Sequence, residues 1–153
     1  KIQYQVTLIE NGGPHDRVSD NNCFWMATDP NSPEDFFKNS ANRTGKFYDY
    51  NTLNLYYVGY GGHNNTKTRF RRYDGNFDRP LLPEHDLSEN RFLITPNKTI
   101  QVEIVVKNNI TSYSRDGEIV FEFYDPEPYT SGYFGFRTVN SHMIIEKFKV
   151  SKI

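Results

Sequence analysis

The run Thr99-Ile100-Gln101-Val102-Glu103-Ile104-Val105-Val106-Lys107-Asn108-Asn109-Ile110-Thr111-Ser112-Tyr113-Ser114-Arg115-Asp116-Gly117-Glu118-Ile119-Val120-Phe121-Glu122-Phe123-Tyr124 decides the fold class. Ile100, Val102, Ile104 and Val106 alternate with Gln101, Glu103 and Val105, the period of two that sends alternate side chains to opposite faces of a strand. Asn108-Asn109 then reads as a tight turn. Residues 110–115 and 118–124 flank Asp116-Gly117, a pair suited to the positive φ that both central positions of a two-residue hairpin require. The same pattern extends outward. Residues 1–10 alternate Ile2, Tyr4, Val6 and Leu8 against Gln3, Gln5 and Thr7, so the first residues are already inside a strand. Further strands are predicted at 23–28, at 53–60 and 67–73 on either side of Gly61-Gly62-His63-Asn64-Asn65, and at 132–139 and 143–151.

That makes nine strands. The Pro- and Asn-rich residues 29–50 keep no period and read as a long surface loop. A helical turn is expected at 33–38, where Ser32 would cap and Pro33 would take the first helical position. Residues 77–90, rich in proline and acids, form a second irregular stretch. The arrangement that buries such a pattern is all-β: an antiparallel two-sheet sandwich in one domain over residues 1–153.

Composition agrees and narrows the function. The 153 residues hold 24 aromatics (12 Phe, 11 Tyr, 1 Trp), 16 Asn and only two Ala. Aromatics suit half-buried pleated surfaces, Asn suits turns, and scarce alanine argues against helix. Aromatic rings and amides are also the groups that stack on sugar rings and pair with hydroxyls. A net charge of −1 from 18 Lys+Arg and 19 Asp+Glu offers no basic excess for nucleic acid. No stretch approaches the roughly 18 apolar residues of a membrane-spanning helix. The single cysteine, Cys23, excludes an internal disulfide and any CxxC metal or redox motif.

Four strings carry a family resemblance. They are Asp16-Arg17-Val18-Ser19-Asp20-Asn21-Asn22-Cys23-Phe24-Trp25-Met26-Ala27, Tyr56-Tyr57-Val58-Gly59-Tyr60-Gly61-Gly62, Asn65-Thr66-Lys67-Thr68-Arg69-Phe70-Arg71-Arg72-Tyr73, and Gly132-Tyr133-Phe134-Gly135-Phe136-Arg137-Thr138 with Ser141-His142. Together they resemble an uncharacterised bacterial family with the concanavalin-A-like lectin/glucanase jelly roll, which includes proteins resembling YesU and is associated with polysaccharide utilisation. The resemblance implies a carbohydrate-active jelly roll, periplasmic or extracellular, with a polysaccharide or oligosaccharide from plant or algal material as its partner. It also implies that one or more strands precede residues 1–10, so an N-terminal segment is expected to complete the sandwich.

The glucanase mechanism does not carry over. It needs an acid, an Asp and a second acid at i, i+2 and i+4 on one strand, which places nucleophile and general acid about 5 to 5.5 Å apart. The nearest spacings here, Glu118/Glu122 and Asp125/Glu127, lie at a hairpin or past a strand. A different constellation stands out. Alternation in residues 67–73 puts Lys67, Arg69, Arg71 and Tyr73 on one face and Thr68, Phe70 and Arg72 on the other. That face is either a solvated, ion-paired surface or a groove that neutralises a uronate or sulfate with arginine forks. In an acidic polysaccharide Arg69 and Arg71 would support β-elimination, with Tyr60, His63 or His142 exchanging the proton, and Tyr57 as a further candidate. Arg17, Asp20, Asn22, Trp25, Tyr57, Lys67 and Arg137 are the expected substrate-binding residues. Trp25 faces either the groove as a platform or the core with a buried partner for its N–H, because its neighbours Phe24 and Met26 must take the other side. No cofactor is expected. A structural calcium on loop oxygens such as those of Asp29, Asp74, Asn76 or Asp78 is the one metal role considered. Two readings remain: an enzyme of lyase or unusual hydrolase type, and a noncatalytic glycan-binding module using the same groove.

Overall fold

The computed structural model describes residues 1–76 and 78–153. Phe77, the first residue of the predicted irregular stretch 77–90, lies outside the described residues. The strands are β1 (Ile2–Leu8), β2 (Asn21–Thr28), β3 (Asn54–Gly61), β4 (Lys67–Asp74), β5 (Asp86–Leu87), β6 (Ile100–Lys107), β7 (Ile110–Arg115), β8 (Glu118–Tyr124), β9 (Tyr133–Arg137) and β10 (Met143–Val150). They form two antiparallel sheets of five strands, ordered β10-β1-β6-β7-β8 and β5-β4-β3-β2-β9. This is the two-sheet sandwich that the alternation predicts.

The period-two pattern translates directly into burial. Ile2, Tyr4, Val6 and Leu8 of β1 and Ile100, Val102 and Ile104 of β6 face the opposite sheet, where Cys23, Trp25, Tyr56, Val58, Tyr60 and Phe70 meet them. Aromatic rings fill much of this core, Tyr4 lying edge-on to Phe136 at 5.0 Å between centroids. Both predicted hairpin turns have the expected backbone: Asn108 and Asn109 at φ 51° and 63°, Asp116 and Gly117 at 52° and 84°. Burial pushes the Cys23 thiol up to about 12, so it behaves as a small apolar core residue.

Two local expectations are corrected. Residues 33–38 form successive turns rather than a helical turn, since Asp35 N–H bonds Ser32 O and Lys38 N–H bonds Asp35 O, three residues back each time. Short 3-10 segments occur instead at Ser40–Asn42 and Phe47–Tyr50. The second irregular stretch contains β5, which pairs Thr68 with Leu87 and Arg69 with Asp86. Two residues are too few to show a period.

The loop after β2 folds back over the outer face of the second sheet. Phe36, Phe47 and Tyr50 pack on Ala27, Leu53, Leu55, Tyr57 and Tyr73 and form a second, smaller apolar cluster. It covers part of that face and leaves the rest open. The chain ends meet on the other sheet: the Lys1 amino group donates to Ser151 O at 2.7 Å, and Ser151 N–H donates to Lys1 O at 2.8 Å.

Candidate functional site

The open part of the outer face is organised by strand register. Arg137 of β9 stands beside Asn22 of β2, Asn22 beside Gly59 of β3, Gly59 beside Arg69 of β4, and Arg69 beside Asp86 of β5. Directly paired residues share a face, so one row crosses all five strands with a glycine at its middle. The missing side chain at Gly59 makes the trough. In the adjoining row Phe24 pairs with Tyr57 and Tyr57 with Arg71. Asp20 and His63 close one end, and Phe47 and Arg79 from the loops wall the other, enclosing a hollow of about 310 Å³.

His63 owes its position to an unusual backbone. His63, Asn64 and Asn65 all lie in the left-handed region, at φ 54°, 58° and 59°, following Gly61 at φ 67°. Asn and His tolerate that region better than most side chains, and Gly accepts it freely. The turn is held by Thr66 N–H to Gly62 O at 3.0 Å and by Asn65, whose amide bonds Ile94 O and N–H at 2.9 and 2.8 Å. Asp20 sits opposite with φ 60°, again left-handed. Residues held in sparsely populated backbone regions cluster at functional sites.

The charges divide into two sets. Arg69 forms a two-pronged bond to Asp86, 2.9 and 3.2 Å, and its remaining nitrogen lies 2.6 Å from His63 Nε2. A guanidinium only donates, so His63 Nε2 accepts and its ring proton sits on Nδ1. The Arg69 fork holds the Asp86 carboxyl below the usual carboxylate range. Lys67 adds a second cation 3.5 Å from Asp86. Arg71 is different: among the described residues it donates only to the carbonyls of Arg79 and Pro80, at 2.6 and 3.2 Å. Arg137 donates to Gly45 O at 2.8 Å and lies over the Phe47 ring, while Arg79 lies over the same ring. The protein has nine arginines. Arg17, Arg43, Arg69, Arg72, Arg91 and Arg115 each have a carboxylate partner. Among the described residues Arg71, Arg79 and Arg137 have none, and all three line this one hollow. Burial lowers the Arg71 pKa from its usual value, and Arg79 and Arg69 add to that. It stays a cation whose field has no internal counter-ion.

Of the residues picked out by sequence, Asp20, Asn22, Tyr57, His63, Lys67, Arg69, Arg71 and Arg137 line the hollow together. Four do not. Trp25 is fully buried between the sheets and its Nε1–H donates to Thr111 Oγ1 at 3.0 Å, so it is a core residue and not a platform. Tyr60 also faces inward, donating to Leu93 O at 2.9 Å and accepting from Arg115. Burial raises its pKa. Arg17 ties the rim together through Asp20, Asn64 and Val139 O at 2.7, 2.8 and 3.0 Å. His142 lines a separate open hollow, its Nδ1 2.8 Å from Asp16. Sequence reading missed Gly59, Phe47, Arg79 and Asp86. The spacing Tyr57-Val58-Gly59 held a signal for the first, since alternation puts Gly59 on the Tyr57 face; the others come from segments without a period. Of the oxygen ligands considered for calcium, Asp29 is engaged by Arg43, Asn39 and Asn31 N–H at 2.6, 3.0 and 2.9 Å. Among the described residues no three His, Cys, Asp or Glu side chains gather as a metal site would need, and no helix is long and apolar enough to cross a membrane.

A two-sheet antiparallel sandwich with a cationic trough on one outer face places the chain in the jelly-roll class. The chain belongs to the family described as a domain of unknown function, DUF6250, whose profile matches residues 1–148. Two solved structures share the fold. A protein of unknown function with a galectin-like fold from Bacillus subtilis is 18% identical with a TM-score of 0.63, covering 96% of this chain and 69% of that one. The carbohydrate binding module CBM66 from Bacillus subtilis is 11% identical with a TM-score of 0.55, covering 96% and 72%. No curated protein sequence matches this one.

Proposed function

We propose that this domain binds an acidic glycan in the cationic trough across β2, β3, β4 and β9. The observation that carries this reading is the distribution of ion pairs: the three arginines lacking a carboxylate partner among the described residues all line one hollow, in a chain whose net charge is −1. An external carboxylate or sulfate is the counter-ion that such a site lacks, and the arginine fork matches either. Likeness in fold to a carbohydrate binding module is consistent with a sugar ligand. We place the domain outside the cytoplasm, where polymeric plant or algal glycans are met, and group it with the YesU-like proteins.

Binding is favoured over elimination. Of the candidate proton-transfer groups, Tyr60 is in the core, His142 is at another hollow, and His63 lines the trough but has its Nε2 lone pair taken by Arg69 at 2.6 Å. Burial drives the Tyr57 pKa far above its usual value, making it a poor base. The test incubates the protein with pectic, rhamnogalacturonan and sulfated polysaccharides, reading unsaturated-uronate absorbance, new reducing ends and retention on affinity gels from the same samples. Retention that Arg71→Ala weakens at least tenfold, with neither product, is the expected outcome. Absorbance rising with reducing ends would instead establish a lyase. Reducing ends without absorbance would establish a hydrolase.

The partner segment expected ahead of residue 1 has a matching open side. Phe148 and Val150 of β10 face inward beside Tyr4 and Ile2, yet remain 47% and 64% exposed. Sheet two ends at β9 and covers neither fully. The two similar structures are longer than this chain, and a preceding segment paired along β9 would lie over both residues. In a chain extended upstream, hydrogen exchange at β9 should slow; unchanged exchange would rule the pairing out.

A further inference from the structure

Resting on the acidic-glycan reading above, we infer that the trough selects acidic sugars carrying free hydroxyls, namely hexuronates, and rejects the same sugars once those hydroxyls are sulfated, with Asp20 and Asn22 as the specificity determinants. The floor of the trough is not uniformly cationic. Asn22 is only 2% exposed and its Oδ1 has no hydrogen-bond partner. Its strand neighbour Arg137 has a buried Nε–H in the same condition. A buried donor and a buried acceptor left unsatisfied each cost stability. They belong to residues directly opposite one another on one face. One chemical group satisfies both at once: a hydroxyl, which accepts from Arg137 Nε–H and donates to Asn22 Oδ1.

Asp20 extends the pattern. Its Oδ2 is taken by Arg17 at 2.7 Å and Ser19 at 3.1 Å, while Oδ1 has only the long 3.5 Å contact from Asn22 Nδ2. Oδ1 is therefore an acceptor with capacity left, and a second hydroxyl is the donor it suits. Oδ1 has no proton to give, so a sulfate oxygen, itself only an acceptor, finds no hydrogen bond there. Arg71 stands one row further along, beside Tyr57, with Arg79 against it, and Arg137, though opposite Asn22, carries its guanidinium over Phe47 on that side. The ligand that satisfies both ends is polarised: an anionic group at the arginines and neutral hydroxyls at Asp20 and Asn22. A hexuronate has that distribution, and a sugar sulfated on those hydroxyls does not.

The experiment is calorimetric titration of the whole domain with tetramers of galacturonate, glucuronate and mannuronate, and with the same tetramers O-sulfated. The expected result is that at least one plain tetramer binds at least tenfold tighter than its sulfated form, despite the latter's greater charge. Asp20→Asn keeps a residue suited to the left-handed backbone and should shrink that preference at least threefold by strengthening the sulfated ligand. Asn22→Ala should weaken the plain ligand at least fivefold. A melting curve of each variant identifies loss of fold, and the Asp20→Asn ratio stands independently of Asn22→Ala. Sulfated tetramers binding tighter to the wild type, with a ratio that Asp20→Asn leaves unmoved, would overturn the inference while leaving the trough as an anion site. Failure of every acidic tetramer to bind would overturn the underlying reading.

Discussion

Tyr57 and Tyr60 are three apart on one strand and therefore point to opposite faces; one lines the trough and the other lies in the core. That separation was legible from parity alone. Trp25 was not, because alternation allows either facing and only the match of its N–H to Thr111 selects the core. Trp25→Ala should cost about 3 to 5 kcal/mol in urea unfolding, as large buried aromatics do, without weakening any ligand measured at saturating folded fraction. His85 gives a pH prediction. It packs edge-on to Phe70 at 4.9 Å and Phe121 at 5.8 Å between centroids, and burial lowers its pKa. The unfolded chain takes up a proton near pH 6.5, about the free value, where folded His85 does not. Stability is thus full above that pH and falls as pH drops toward the lower folded value. In denaturant titrations from pH 7.5 to 5.5, His85→Leu should flatten this decline; an unchanged slope would mean another group drives it.

At the scale of elements, the strands that read clearly are those with one wet and one dry face, β1 and β6 above all. The pieces that resisted were those whose conformation is set by something far away in sequence. The β2 strand is broken at Met26, which takes φ 53° and shifts the pairing with β3 and β9. The break is held by Gly132 at φ 142°, where a Cβ would run into the backbone of Met26 and Ala27. Nothing in residues 23–28 announces a contact with residue 132. Gly132→Ala should therefore lower stability by at least about 2 kcal/mol, through both the backbone region and the overlap, whereas Gly117→Ala meets only open space and costs the positive-φ strain alone. Comparing the two melting temperatures separates the contributions. The short β5 escaped notice for a related reason: its Asp86 is defined by Arg69, not by neighbours in the chain.

For the molecule as a whole, the near-zero net charge hides a separation in which six of the nine arginines pair with carboxylates and, among the described residues, the three that do not all line the trough. Binding of acidic oligomers should weaken severalfold as salt rises from about 50 to 500 mM, since the Debye length shrinks from over 10 Å to about 4 Å. Salt-insensitive affinity would mean hydroxyl contacts dominate instead. The sandwich and the cationic face could be read from the chain; the closure of the trough by Phe47 and Arg79 could not, because it depends on loops whose path is fixed only by packing on Tyr57 and Tyr73. The meeting of Lys1 with Ser151 has a further meaning. Both ends leave from the sheet opposite the trough, so a longer polypeptide, or a surface, can hold this domain by either end or both like a bead on a loop while its trough looks outward. A circular permutant that joins Ile153 to Lys1 through a short flexible link and opens at the Asp116-Gly117 turn should fold and keep its ligand affinity, with the order of its strands along the chain rewritten.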